Sequence, residues 1–510
     1  MRSLLAELAA MLVCAWASSA AAIPETSPPE PDIARERAAL YDALTQAQQT
    51  KPDLKAIETA LKTAIADPLF AQLSDDERHA AYLMYGATLL QDEQTADAKA
   101  PLKQASEMDE ANAVDWDLRL RDSYALKDYL DAAHAVAVIA ERWPKKLSSF
   151  RDGALFLLAN EVQKPDIDPR AATEFLDALA AAKWTPKDPF DHPETDLWLD
   201  LLKKRLASGN VAGAAKAAAG LRDPVVLIKL RADKRFDAVV QAAPDAFDVA
   251  KAEDDELRAQ RAALEKTPQT LKKINEMSST LYYLNRPREA LTLVSEAIDR
   301  AVSRPGSFPD ERDQLHWSYD RQASALFLVG RSQDGFAALT AGASLMEWRS
   351  VNVSQAINLA GEYDVYARPR DAIKAVDFVG SSNVSVYGRM ALDDALACAY
   401  FQLADKDDLA DVLKYMKSHA DDGVHPFLDT MLCTADLDAA AAFVIAKLRD
   451  PETRMDMLYS LQDYLPQAFA TAGEQSIHAN WLAVRNRPDV AQAIAAVGRI
   501  ESYPMLSPSF

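Results

Sequence analysis

Two adjacent stretches, 79–112 and 113–146, repeat with a period of 34 residues and no gap. An aromatic holds the fourth position of each (Tyr82, Trp116) and an alanine the twentieth (Ala98, Ala132). Apolar residues hold the twenty-fourth (Leu102, Val136) and the twenty-seventh (Ala105, Ile139), and Pro144 closes the second stretch. A period of this length is one antiparallel helix pair. The small residues let the two helices approach, and the larger apolar groups fill the space that remains. One pair cannot bury its own apolar faces, so pairs must stack. The chain is thereby committed to an array.

Composition agrees with helix. Glycine is 15 of 510 residues, well under the usual ~7%. Hairpin-rich sheets and nucleotide-binding loops both need glycine at positive φ. Hydrophobic residues are 49% and charged residues 26%, the balance of a folded chain. At this length a single compact core is excluded, which leaves an extended array or a toroid. Lys and Arg total 56 against 77 Asp and Glu, a net charge of −21. That surface repels phosphate backbones, so nucleic acid is not expected as a partner, whereas a basic protein is admissible.

Further units follow at looser spacing. In 195–228, Trp198, Gly209 and Ala214 take the marked places; in 271–304, Ser278, Leu281, Asn285, Ala290, Val294 and Ala297 do. Stretches 316–349 and 353–386 also fit, through Ala323, Leu326 and Gly335, then Ala360, Tyr363 and Ala372. Stretches 391–424 and 472–505 are weaker, 147–183 needs an insertion, and 225–243 reads as a shortened pair. A break near Pro244–Asp248 divides the expected arrays into 33–246 and 247–510.

The start of the chain reads as a signal peptide, 1–22, with Arg2 before an apolar core at 8–17 and cleavage before Ile23. A Pro-rich linker, 23–32, follows. Export to the periplasm of a Gram-negative cell, or beyond it, is the expected destination, with no transmembrane anchor in the mature chain. Cys398 and Cys433 then remain, and both read as small buried hydrophobes rather than a bridge.

The sequence holds no HExxH, GxSxG, Walker loop, dinucleotide-binding glycine pattern or CxxC. No catalytic residue, cofactor or metal is therefore expected. The polar cluster at 188–198, with Asp188, Asp191, His192, Glu194 and Asp196, reads as a loop entering a helix at Pro193. Arg-Pro recurs in NRPREA, ARPRDA and NRPDVA. There Asn285, Ala367 and Asn486 read as helix ends, and Pro287, Pro369 and Pro488 as helix starts. The Glu-Ser of GRIESY, with so few residues after it, reads as a chance match to lytic transglycosylases.

The marked positions of 79–146 resemble the tetratricopeptide repeat. The resemblance spans most of 79–505 and is specific in about half of it. It implies an all-α fold, an α-solenoid of stacked antiparallel helix pairs wound into a superhelix. It also implies that ligands lie against the first helix of each pair. The corresponding residues here are Asp117, Arg121 and Tyr124, then Lys272, Asn275 and Tyr282, then Trp317, Asp320 and Phe327. The implied function is a scaffold or adaptor that binds a protein or peptide on its concave face, in envelope or secretion machinery. The alternative is an α/α-barrel or superhelical enzyme that cleaves glycan through paired carboxylates.

Overall fold

The computed structural model describes residues 31–49, 51–164, 166–188, 190, 192, 194–266, 269–346, 352–381, 384–468 and 470–507. The expected signal peptide and nearly all of the Pro-rich linker lie outside them. Among the described residues the chain is all-α, a solenoid of antiparallel helix pairs. Among the described residues no helix is long and apolar enough to cross a membrane. The strands Asp463–Leu465 and Ser502–Leu506 pair in parallel, a small exception to the expectation of no strand. They are too short for a period of two to show in the sequence.

The repeat positions do what their sizes suggest. Helix Asp75–Gln91 packs on Thr95–Ser106, and Ala113–Ala125 on Tyr129–Arg142. Ala98, Leu102, Ala105, Ala132, Val136 and Ile139 are all fully buried. Each large one stabilises the fold by about 2 kcal/mol. Gly86 shows how close the helices come: a Cβ there would stand 2.5 Å from Leu102 Cγ. Pro144 begins a 3-10 turn, Pro144–Ser149, and so ends the second unit as expected.

The turn inside most of the pairs shares one construction. A single residue turns left-handed, and the next N–H bonds back across the helix end. Asn285 (φ 54°) and Ala367 (φ 55°) do this, with Arg286 N donating to the Leu281 carbonyl and Arg368 N to that of Tyr363, both at 2.8 Å. Glu93, Lys127, Ala404 and Ala435 do the same at φ of 57–61°. Pro287 and Pro369 open the next helices. Asn486 departs from the reading: its φ is −85°. That turn is one residue shorter, so Arg487 already caps the helix Pro488–Val497. The arginines close locally, Arg286 onto Glu289 at 2.7 Å and Arg368 onto Asp371 at 2.7 Å.

The chain divides into two compact units. One runs to Lys187 and includes Asp196–Gly220; the other comprises Asp188–Thr195 and everything from Leu221. The break expected at 246/247 falls inside the second unit, because Phe247 is fully buried there in a 3-10 turn. One pair, Val424–Cys433 with Leu437–Arg449, has no counterpart among the expected repeats. Its first helix has only 10 residues, too few to display a period.

The second unit closes on itself. Its early helix Pro224–Ala232 packs against the late helix Arg454–Ser460. Asp233 bridges Gly498, and Arg499 N donates to the Ala232 carbonyl at 3.0 Å. The Arg499 side chain reaches the Arg231 carbonyl (2.7 Å) and Asp237 (2.6 Å), while Arg231 reaches Glu501 (2.8 Å). Glu501, the acid of the Glu-Ser match, is thus occupied in closing the unit.

Two substitutions test this construction. Gly86→Ala is expected to lower stability by about 1 kcal/mol net, because overpacking costs more than the helix propensity gained. Ala404→Gly is expected to raise it by about 1 kcal/mol, by relieving a left-handed alanine. Denaturant unfolding followed by circular dichroism reads both.

Candidate functional site

The second unit holds a cavity of about 1220 Å³. Its wall is built from the first helices of successive pairs. Leu271–Tyr283 supplies Tyr282 and Tyr283, Glu311–Leu328 supplies Arg321, and Val353–Val365 supplies Glu362 and Asp364. Val386–Leu403 adds Asp394 and Cys398, and Val424–Cys433 adds Asp429 and Cys433. Ala472–Arg485 and the strand Asp463–Leu465 complete it with Glu474, Trp481, Arg485 and Tyr464.

Its electrostatics are those of acids without counter-charges. Asp364 is 6% exposed, and neither of its carboxylate oxygens has a hydrogen-bond partner. Burial alone pushes it from an ordinary 3.8 up to about 8. Burial, then the charges of Glu474 and Asp320, push Glu362 up to about 8. Asp394 is raised by burial and by the neighbouring charge of Asp429, although Thr430 donates to it at 2.6 Å. Burial raises Asp429 as well. The cations on the wall have partners of their own: Arg321 stands 3.6 Å from Asp320, and Arg485 pairs with Asp463 at 2.6 Å. Burial raises Tyr282 and Tyr464 above the ordinary tyrosine range, and Tyr464 donates to the Tyr459 carbonyl at 2.8 Å. The cavity therefore offers aromatic faces and carboxyl groups that a cation entering it would ionise.

Cys398 and Cys433 form a disulfide, with Cα atoms 5.7 Å apart. This corrects the reading of them as separate buried hydrophobes; both are half-buried in the cavity wall. They lie 35 residues apart on neighbouring first helices.

Of the nine residues placed by resemblance, Tyr282 lines the cavity. Asp117 is buried and pairs with Arg121 at 2.9 Å in the first unit, where Tyr124 packs edge-on to Tyr129. Asn275 accepts from Ser318 at 2.8 Å and donates to the Gln314 carbonyl at 3.2 Å, fastening two helices together. Lys272 is exposed, near Glu276 at 3.5 Å. Asp320 accepts from Asn358 at 2.8 Å, and Trp317 is half-buried against His316. Phe327 packs over Gly335, where a Cβ would stand 2.7 Å from its ring.

The acids of the wall escape a reading by repeat position, yet one signal is present. Asp-x-x-x-Cys occurs at 394–398 and again at 429–433, on neighbouring first helices. The 188–198 cluster is spent on packing. Asp188 pairs with Lys273 at 2.7 Å, and His192 stands 3.4 Å from Glu256 and 3.8 Å from Glu194. Burial works against charge on His192, but the two glutamates prevail and push it up to about 10. The helix there begins at Thr195, two residues later than the expected start at Pro193. Asp191 and Pro193 lie outside the described residues.

No family model matches the chain, and no curated protein does. Two solved structures are similar. One is Naa15/Naa10 bound to HypK-THB, at 11% identity and a TM-score of 0.24, covering 91% of this chain and 76% of that one. The other is a circular tandem repeat protein with a novel repeat topology, at 11% identity and a TM-score of 0.16, covering 97% of each chain. Likeness at this level carries no argument about function.

The raised carboxyls make stability depend on pH. Between the ordinary 3.8 and about 8, folded Asp364 keeps a proton that the unfolded chain has released. Stability then falls as pH rises through that window. Asp364→Asn is expected to match the parent near pH 4. By pH 9 it should exceed the parent by on the order of a few kcal/mol. Thermal unfolding across that range measures the difference. Separately, Cys398→Ser is expected to cost about 2–4 kcal/mol by removing the constraint on the unfolded chain.

Proposed function

We propose that this chain is an exported scaffold or adaptor of tetratricopeptide type, whose second unit takes up a basic segment of a protein or peptide partner. The observation that carries the reading is Asp364, buried on the cavity wall with both oxygens unpartnered. A buried carboxyl without a partner is costly to keep. An ammonium or guanidinium group entering the cavity would supply what it lacks. Tyr282 and Tyr283 offer faces for the aliphatic stem of such a side chain. The repeat positions at 79–146 support membership of the tetratricopeptide superfamily, and the N-terminal 22 residues support export.

A second reading is favoured by one feature of the same cavity. Carboxyl groups held protonated near neutral pH beside aromatic faces also suit acid-assisted cleavage of a glycan.

The test is calorimetric titration with trilysine and with its fully acetylated form. Trilysine is expected to bind, the acetylated form to bind at least tenfold more weakly, and Asp364→Asn to lose at least tenfold for trilysine. Equal binding of the two peptides, or an unchanged affinity in Asp364→Asn, overturns the basic-segment reading. If Trp317→Ala loses affinity instead, recognition lies outside the cavity. Release of reducing ends from a chitooligosaccharide, abolished by Glu362→Gln, would replace the scaffold with the enzyme.

A further inference from the structure

The cavity wall carries a second arrangement, independent of which ligand enters. Asp394 and Cys398 stand one helical turn apart on Val386–Leu403, and Asp429 and Cys433 one turn apart on Val424–Cys433. Residues at i and i+4 share a helix face. The two helices pack against each other, and the disulfide joins the two Asp-Cys pairs. The Sγ atoms of Cys398 and Cys433 and a carboxylate oxygen of Asp394 all lie within 4.8 Å of one another. Thr430 orients Asp394 by its 2.6 Å hydrogen bond, and Oδ1 of Asp429 is buried with no hydrogen-bond partner.

We propose that reduction of the Cys398–Cys433 disulfide uncovers a zinc site formed by Cys398, Cys433 and Asp394, with Asp429 or a water in the fourth position. Two thiolates and one or two carboxylates from rigid helices suit the borderline-soft, tetrahedral Zn²⁺ ion. The ligand atoms of such a site stand roughly 3–4 Å apart, so reduction lets the two Sγ atoms, bonded to each other in the disulfide, separate to that spacing beside the Asp394 carboxylate. The disulfide form lacks thiolates and has no comparable affinity. The chemistry balances with a phosphine reductant. The disulfide accepts two electrons and two protons to give two thiols, and the phosphine becomes its oxide with oxygen from water. Zn²⁺ then displaces the two thiol protons to solvent. The site is thus a metal centre gated by redox state, in a wall that also faces the ligand cavity.

Cobalt(II) replaces zinc as a visible probe. The full chain is reduced with a phosphine, freed of it by anaerobic gel filtration, and titrated with Co²⁺. The reduced chain is expected to show thiolate-to-cobalt charge transfer in the near ultraviolet and tetrahedral ligand-field bands, saturating at one ion per chain and bleached by Zn²⁺. The disulfide form is expected to show neither. Asp394→Asn is expected to weaken Co²⁺ binding at least tenfold, and Cys398→Ser to lose the paired-thiolate intensity, both with helical circular dichroism retained. Absence of charge transfer in the reduced chain overturns the proposal, as does equal binding by the disulfide form or parental affinity in Asp394→Asn. Loss of the helical signal on reduction overturns it too, because the site needs both helices in register.

Discussion

Everything in this molecule depends on how closely two helices can lie. Leu102 occupies space that a methyl group on Gly86 would take. Ala98, Ala132, Ala290 and Ala372 repeat the same economy of volume at the twentieth position of their pairs, each with almost no exposed surface. At that separation the facing side chains interlock, and they keep a dispersion attraction that a wider crossing would forfeit. A pair made this way still has one apolar face uncovered. The next pair covers it, and the chain continues until something ends the series.

In the second unit the series ends by meeting its own start. The shortened pair at 225–243 and the C-terminal strand have little repeat character, and they are the parts that make the junction. Arg231, Asp237, Arg499 and Glu501 form its polar seam. First helices of this unit line a cavity, and acids on them lose water without gaining cations. Asp364 shows the effect most plainly, since burial alone accounts for its shift.

Legibility in the sequence follows physical locality. The turns are readable because a left-handed residue followed by proline is a property of four or five neighbours, as at Asn285 and Pro287. The third copy misleads because Asn486 has the same neighbours but a turn one residue shorter. The resemblance implied a face at the level of the helix, and first helices do line the cavity. It is coarse at the level of the residue. Asn275 and Asp320 bond across to neighbouring helices and Phe327 covers a glycine, which are demands of packing that the repeat position does not encode.

By itself the sequence determined the helix pair, its period, its small-residue crossings and most of its turns, because these need only interactions within one or two repeats. It also held the twin Asp-x-x-x-Cys motifs. The tertiary structure alone decided that the second unit closes, that Cys398 and Cys433 join, and that Glu362, Asp364, Asp394 and Asp429 share one cavity. The physical reason is distance along the chain. Arg231 and Glu501 meet across 270 residues, a contact that no single stretch of sequence displays.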